Sequence, residues 1–325
     1  MFRISKSAIL VSLIVCTGAV LASDGPMKVD AEIKSYEKVS GVSGNISSVG
    51  SDTLNNLMAL WSEGFRKVYP NVNVQVEGKG SGTAPPALIA GTAQLGPMSR
   101  PMKTEEKESF EKKTGYAPTA IGVSLDALAV YVNKDNPIEA LSLSQVDAIF
   151  SKTRKSGAAE DIVTWGQIDS SVPIAQHPIS LYGRNSASGT YGFFKKHALA
   201  KGDYKDQVKE QPGSSSVVMA ITEDLSGIGY SGIGYKTSGV KVLKLAEKDG
   251  EEAVPASAEN VLNKKYPLGR MLFIYIDKKP GTALPAVTEQ FLRYILSREG
   301  QEVVVKSGYI PLPGKIADKQ AELLK

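Results

Sequence analysis

Cysteine is nearly missing from this 325-residue chain, and the position of its single copy, Cys16, matters. It falls in a stretch that reads as a secretion leader. Arg3 and Lys6 make a positive start, residues 8–15 are apolar, and Val20-Leu21-Ala22 offers the small residues that a signal peptidase reads. A cut after Ala22, removing a signal peptide at 1–22, leaves a mature chain without cysteine. Such a chain has no disulfide, no thiol nucleophile and no cysteine metal cluster. Val15 precedes Cys16 where a lipid-attachment site needs a small residue. Long hydrophobic runs are lacking too: the uncharged stretch 7–23 contains three serines, a threonine and a glycine, which is marginal for the alternative of an uncleaved membrane anchor. The expectation is export to a Gram-negative periplasm.

Charge of one sign is scarce. The formal net charge is +4, falling to +2 once Arg3 and Lys6 leave with the leader, which is no nucleic-acid footprint. Histidine is scarce as well: His177 precedes a proline in a loop, His197 sits on an expected helix, and neither has an evident serine partner. A phosphate-loop GK[ST] signature and a G-x-S-x-G elbow are both missing. No spaced carboxylate cluster suggests an oxygen-ligated metal. "GIGYSG" (227–232) formally matches G-x-G-x-x-G, but it follows a helical pattern, no long helix clearly follows it, and it reads as a turn. Neither an enzyme nor a cofactor is expected.

What remains is an ordinary globular composition, 42% hydrophobic and 22% charged, long enough for two lobes. Residues 23–44 are polar and aperiodic, a flexible lead-in. Beyond them, strand spacing at 45–49 gives way to helical spacing at 54–68 and strand spacing again at 72–76. Helices are predicted near 85–90 and 103–113, and strands at 120–123 and 127–132. Alternation of this kind predicts an α/β fold with parallel strands. Two apolar β-rich runs, "TAIGVSLDALAVYVNK" and "YPLGRMLFIYIDKK", look like crossings between lobes. They divide the chain into a discontinuous lobe I (45–125 and 270–325) and lobe II (126–269), with a ligand in the cleft.

Four polar loops follow strand-like runs: "VGSDT", "GKGSGT", "GPMSR" and "GRNSASGT". Loops of this kind gather ligands at the carboxyl ends of strands, and helix N-termini there favour anions. Glycine admits close backbone approach, and Ser or Thr adds hydroxyls without bulk. Taken singly, each loop has a plainer reading: Ser51 or Asp52 could cap the next helix, and Arg100 and Arg184 could be surface residues. Four loops of the same chemistry, two bearing arginine, point to one oxyanion site.

These residues resemble the periplasmic phosphate-binding proteins, substrate-binding subunits of the phosphate-specific ABC transporter, over about residues 45–313. "RNSASGT" matches that family's Arg-x-x-x-Ser-Gly-Thr loop, which gives Arg184, Ser188, Gly189 and Thr190 the anion-clamping role. "GKGSG" matches its glycine-serine loop, giving Ser81 and Gly82, and alignment on Trp61 adds Asp52 and Thr53. The resemblance implies a two-lobed periplasmic-binding-protein fold of type II with two hinge strands and the ligand in the interlobe cleft. It also implies inorganic phosphate as ligand, permease subunits of an inner-membrane ABC transporter as partners, and a monomer. Another oxyanion (sulfate, molybdate, tungstate) is the alternative ligand, and a secreted phosphoester hydrolase the alternative class.

The sequence departs from the best-known branch at Ser99, followed by Arg100, where that branch carries an aspartate accepting the phosphate proton, and at Ser186, where it has an acidic partner for the arginine. Phosphate near neutral pH can donate a hydrogen bond and sulfate cannot, so an acceptor carboxylate separates them. Asp126, interrupting an apolar run, and Asp52 are the candidates. Asp126 is favoured, and a structural partner to a backbone amide is its plainer role.

Overall fold

The switch from two-residue to helical spacing near Leu54 becomes a parallel strand pair with a crossover helix. The computed structural model describes residues 27–325, so the leader expected at 1–22 lies outside the described residues. Strand β1 (Gly44–Val49) pairs in parallel with β2 (Val72–Glu77), from Gly44 opposite Val72 to Val49 opposite Glu77. Parallel neighbours require a long connection. Helix α1 (Asn55–Val68) supplies it and buries Leu57, Met58, Trp61 and Phe65. Helix α2 (Ala84–Ile89), strand β3 (Gly96–Met98) and helix α3 (Thr104–Thr114) follow. Strand β4 (Thr119–Asn133) then leads to β5 (Ala140–Ser142) and α4 (Leu143–Phe150).

The central segment runs through β6 (Ser180–Arg184), α5 (Gly189–His197), β7 (Lys209–Gln211), α6 (Ser214–Thr222) and β8 (Gly227–Gly232). Short strands β9 (Val240–Val242) and β10 (Lys244–Ala246) and helix α7 (Ala258–Leu262) precede the return strand β11 (Gly269–Ile276). Helices α8 (Ala286–Leu296), α9 (Arg298–Lys306) and α10 (Gly314–Glu322) end the chain. A seven-stranded mixed sheet is ordered β3-β11-β4-β8-β6-β7, with β9 also on β4. The two apolar runs are adjacent and antiparallel in it, with Arg270 opposite Asp126.

Three elements differ from expectation. The strands read at 120–123 and 127–132 form one 15-residue strand, because the carboxylate that interrupts them is neutralised across the sheet by Arg270. "GIGYSG" is strand β8 rather than a turn, all six residues buried between β4 and β6. A Cβ on Gly229 would lie 2.7 Å from the Tyr182 carbonyl, so glycine here serves close strand packing. The lead-in, aperiodic as read, is pinned rather than free from residue 27 on. Ile33 and Val42 are buried, the Tyr36 hydroxyl donates to Gln290 (2.8 Å), and Asp30 accepts from the Gly314 N–H (2.8 Å). Isolated anchors of this sort leave no periodic trace.

One apolar core surrounds Trp61, Phe65 and Phe291 beneath α1, α8 and α9, and a second surrounds Phe150, Trp165, Phe194 and Tyr230 beneath α4 and α5. Each fully buried side chain of this kind contributes roughly 1.5–3 kcal/mol relative to exposure. The strand ends that carry the polar loops are thereby fixed.

Candidate functional site

Three loops at the carboxyl ends of β1, β2 and β3 are laced together by their backbones. The Ser51 N–H donates to the Pro97 carbonyl (2.7 Å) and the Gly80 N–H to that of Gly50 (2.8 Å). Gly50 is required there, since a Cβ would lie 2.2 Å from the Pro97 oxygen. The "GRNSASGT" loop, between β6 and α5, faces them. The Gly82 N–H donates across to the Ala187 carbonyl at 3.0 Å.

Between these loops runs a buried chain of hydroxyls. Ser81 Oγ lies 3.3 Å from Ser99 Oγ, Ser99 Oγ 3.3 Å from Thr190 Oγ1, and Thr190 Oγ1 2.7 Å from Thr53 Oγ1. The Ser99 N–H also donates to Ser81 Oγ (3.0 Å). Gly189 opens α5 so close to this chain that a Cβ would sit 2.1 Å from Ser81 Oγ. Ser188 is the N-cap, accepting from the Tyr191 N–H at 3.2 Å. The first turn of α5, at the positive end of its dipole, therefore lies against the Ser81, Ser99 and Thr53 hydroxyls and adds its own, that of Thr190.

Two arginines flank the chain. Arg184, 1% exposed, donates to Asp52 Oδ2 (3.0 Å), Ser214 Oγ (2.8 Å) and the Pro212 carbonyl (3.0 Å). Its Nε is buried without a protein partner, as is Ser51 Oγ. Asp52 Oδ2 also accepts from the Ser214 N–H (2.8 Å). Neither Ser51 nor Asp52 caps its own helix; Asp52 instead satisfies the first turn of α6. The Tyr235 hydroxyl holds the Asp52 carbonyl (2.8 Å), and the Tyr309 hydroxyl holds that of Thr53 (2.9 Å).

The second arginine, Arg270, did not emerge from the sequence as a site residue. It donates through Nε and Nη2 to Asp126 Oδ2 (2.9 and 2.7 Å), through Nη1 to the Ser99 carbonyl (3.0 Å) and through Nη2 to Thr190 Oγ1 (3.1 Å). A signal was available: Arg270 and Asp126 each interrupt an apolar strand, and opposite charges breaking two such runs can neutralise each other. Asp126 is fully buried, with Oδ1 accepting from the Ile233 N–H (3.0 Å). Its carboxylate is thus engaged by an arginine and a backbone amide, the plainer of its two expected roles. Burial, then the Asp126 charge, pushes the hydroxyls of Tyr131, Tyr266 and Tyr309 up, keeping them protonated.

Arg100 lies beside the cluster, its Cδ 3.2 Å from where a Cβ on Gly192 would be, yet its guanidinium is taken by Glu106 in a bidentate pair (2.7 and 2.6 Å). Burial raises the Glu106 carboxyl, but the hydrogen bonds from Arg100 and the Lys103 N–H and the Arg100 charge outweigh it and hold the carboxyl below its ordinary value. His177 Nδ1 meets Ser226 Oγ at 3.2 Å, and His197 stacks on Phe193, so neither joins the hydroxyl chain. Among the described residues, no group of three or more His, Cys, Asp or Glu could hold a metal ion, and no helix is long and apolar enough to cross a membrane.

Residues 36–299 match the family model of the PBP superfamily domain. The chain is 53% identical over 311 residues to the phosphate-binding protein PstS of Pseudomonas aeruginosa, with 96% of each chain covered. It is 30% identical over 274 residues to protein SphX of Synechococcus elongatus, covering 83% of this chain and 78% of that one. A candidate phosphate ABC transporter substrate-binding protein from Clostridium perfringens, crystallised with bound phosphate, superposes with a TM-score of 0.70 at 25% identity, covering 83% of this chain and 100% of that one.

Proposed function

Because the chain belongs to the phosphate-binding proteins of the PBP superfamily, with their type II α/β fold, we propose that it binds inorganic phosphate and delivers it to an ABC transporter. It is a binding protein, not an enzyme. The observation that carries this reading is the buried hydroxyl chain Ser81, Ser99, Thr190 and Thr53 at the N-terminus of α5, flanked by Arg184. A tetrahedral oxyanion accepts from N–H and O–H donors, and hydroxyls can also accept from a protonated ligand. The site then comprises Thr53, Ser81, Gly82, Ser99, Arg184, Ser188, Gly189 and Thr190, with Arg100, paired to Glu106, beside the first turns of α5.

The acceptor for the phosphate proton is Asp52, whose Oδ2 takes the bonds from Arg184 and Ser214 and leaves Oδ1 for the ligand. β4 and β11 are the crossings between lobe I (45–125 and 270–325) and lobe II (126–269). The protein works as a periplasmic monomer released from a leader at 1–22, and its partners are the transporter's permease subunits in the inner membrane. Competition against labelled phosphate tests the ligand. Arsenate should displace it, while sulfate, molybdate and tungstate should displace it only at far higher concentration. Displacement by sulfate at concentrations equal to phosphate would reject phosphate selectivity. In the same assay Asp52→Asn should lower the phosphate-to-sulfate affinity ratio, and an unmoved ratio would remove Asp52 from proton reading.

A further inference from the structure

The geometry points to Arg270 as a direct ligand of the anion and to Asp126 as the residue that positions it. This rests on the phosphate reading above and adds to it a cation from the crossing strands themselves. A guanidinium has five N–H donors. Asp126 takes the Nε donor and one on Nη2, Thr190 takes the second on Nη2, and the Ser99 carbonyl takes one of two on Nη1. One Nη1 hydrogen beside Ser99 is left over. Arg270 thereby touches two of the four hydroxyl-bearing residues of the chain, Ser99 and Thr190, and it is 5% exposed.

The ring of Phe193, one turn after Thr190 on α5, covers the guanidinium with its centroid 5.3 Å from Cζ. The planar group is therefore fixed by a carboxylate along one edge, a carbonyl at one corner and an aromatic face. That arrangement sets direction, and direction is what an anion ligand needs. A buried ion pair is a weak means of holding two strands together, because desolvation consumes most of its attraction. Its cost is explained if the cation must be presented to a ligand. Asp126, with both oxygens committed to Arg270 and Ile233, acts through Arg270 and reads no ligand proton.

The test uses phosphate-stripped full-length mature protein and calorimetric titration with phosphate and sulfate. Arg270→Ala should weaken phosphate binding at least tenfold. Millimolar guanidinium should restore most of that loss, and sodium at equal ionic strength should not; a purely structural role would show no such rescue. Arg270→Lys should fall between wild type and Arg270→Ala. Asp126→Asn should weaken phosphate and sulfate by a common factor, leaving their ratio unmoved. Should Arg270→Ala fail to fold, the double variant Asp126→Asn/Arg270→Gln, which strands no buried charge, is expected to show the same tenfold loss. Unchanged affinity in a folded Arg270 variant, a loss that guanidinium does not repair, or a shifted ratio in Asp126→Asn would overturn the assignment. Wild type that binds no tetrahedral oxyanion would overturn the phosphate reading with it, whereas tight wild-type binding with indifferent Arg270 variants overturns this inference alone.

Discussion

Replacing Arg184 by alanine removes a guanidinium that is 1% exposed and ties the end of β6 to two other segments: Asp52 after β1, and Pro212 and Ser214 where β7 passes into α6. After truncation, Asp52 Oδ2 keeps only the Ser214 N–H and the Pro212 carbonyl loses its arginine donor. Breaking a buried ion pair from one side costs about 3–5 kcal/mol. The Asp52 side chain is 20% exposed, so water replaces part of the arginine, and the low end, about 3 kcal/mol, applies. Urea denaturation of the ligand-free protein measures it. The Arg184→Ala/Asp52→Asn double variant should show a coupling of roughly 1–3 kcal/mol, since the two single changes remove one interaction. Phosphate binding should weaken by at least about 2–3 kcal/mol, on the order of 100-fold. A stability loss under about 1 kcal/mol with additive single changes would refute the pairing on which this argument depends.

Other substitutions probe the remaining contacts. Gly189→Ala places a Cβ 2.1 Å from Ser81 Oγ, so the loops cannot meet as they do; phosphate affinity should drop sharply and stability should fall by about 1–3 kcal/mol, and an affinity and a thermal midpoint equal to wild type would contradict the tight approach. Tyr309→Phe deletes the donor to the Thr53 carbonyl and should cost about 1 kcal/mol in urea unfolding, with no loss expected only if that carbonyl finds another partner. Glu106, whose native carboxyl is held below its ordinary value, stabilises the fold above the unfolded glutamate pKa of about 4.3, and this contribution is lost as pH falls through the depressed native value. Stability of Glu106→Gln measured across that acid window should therefore have a shallower pH slope than wild type, and an identical slope would show that the Arg100 pair does not hold Glu106 down.

Much of this site was legible because its chemistry is local. The hydroxyl and glycine loops lie at the ends of strands that alternate cleanly, and "RNSASGT" carries Arg184, the cap Ser188 and two residues of the α5 first turn in one run. What sequence reading missed depends on distant partners. Arg270 meets Asp126 across 144 residues, and the Tyr235 and Tyr309 hydroxyls reach the Asp52 and Thr53 carbonyls across 183 and 256. Asp126 stands out because a carboxylate in an apolar strand demands a partner, and the partner the structure gives it is another strand's arginine. The plainer alternative for Ser51 or Asp52, a cap on the adjacent helix, does not hold, because Asp52 serves the first turn of α6. Glycine misled at 227–232 because its turn propensity and its use in tightly packed strands look alike without the neighbouring strand.

The most direct measurement is a calorimetric titration of phosphate into the refolded, phosphate-stripped protein, with sulfate titrated in parallel at the same pH and ionic strength. A single site per chain saturated by phosphate is expected, with sulfate binding weaker by orders of magnitude. An absence of phosphate binding to a folded protein, or sulfate bound as tightly as phosphate, would contradict it.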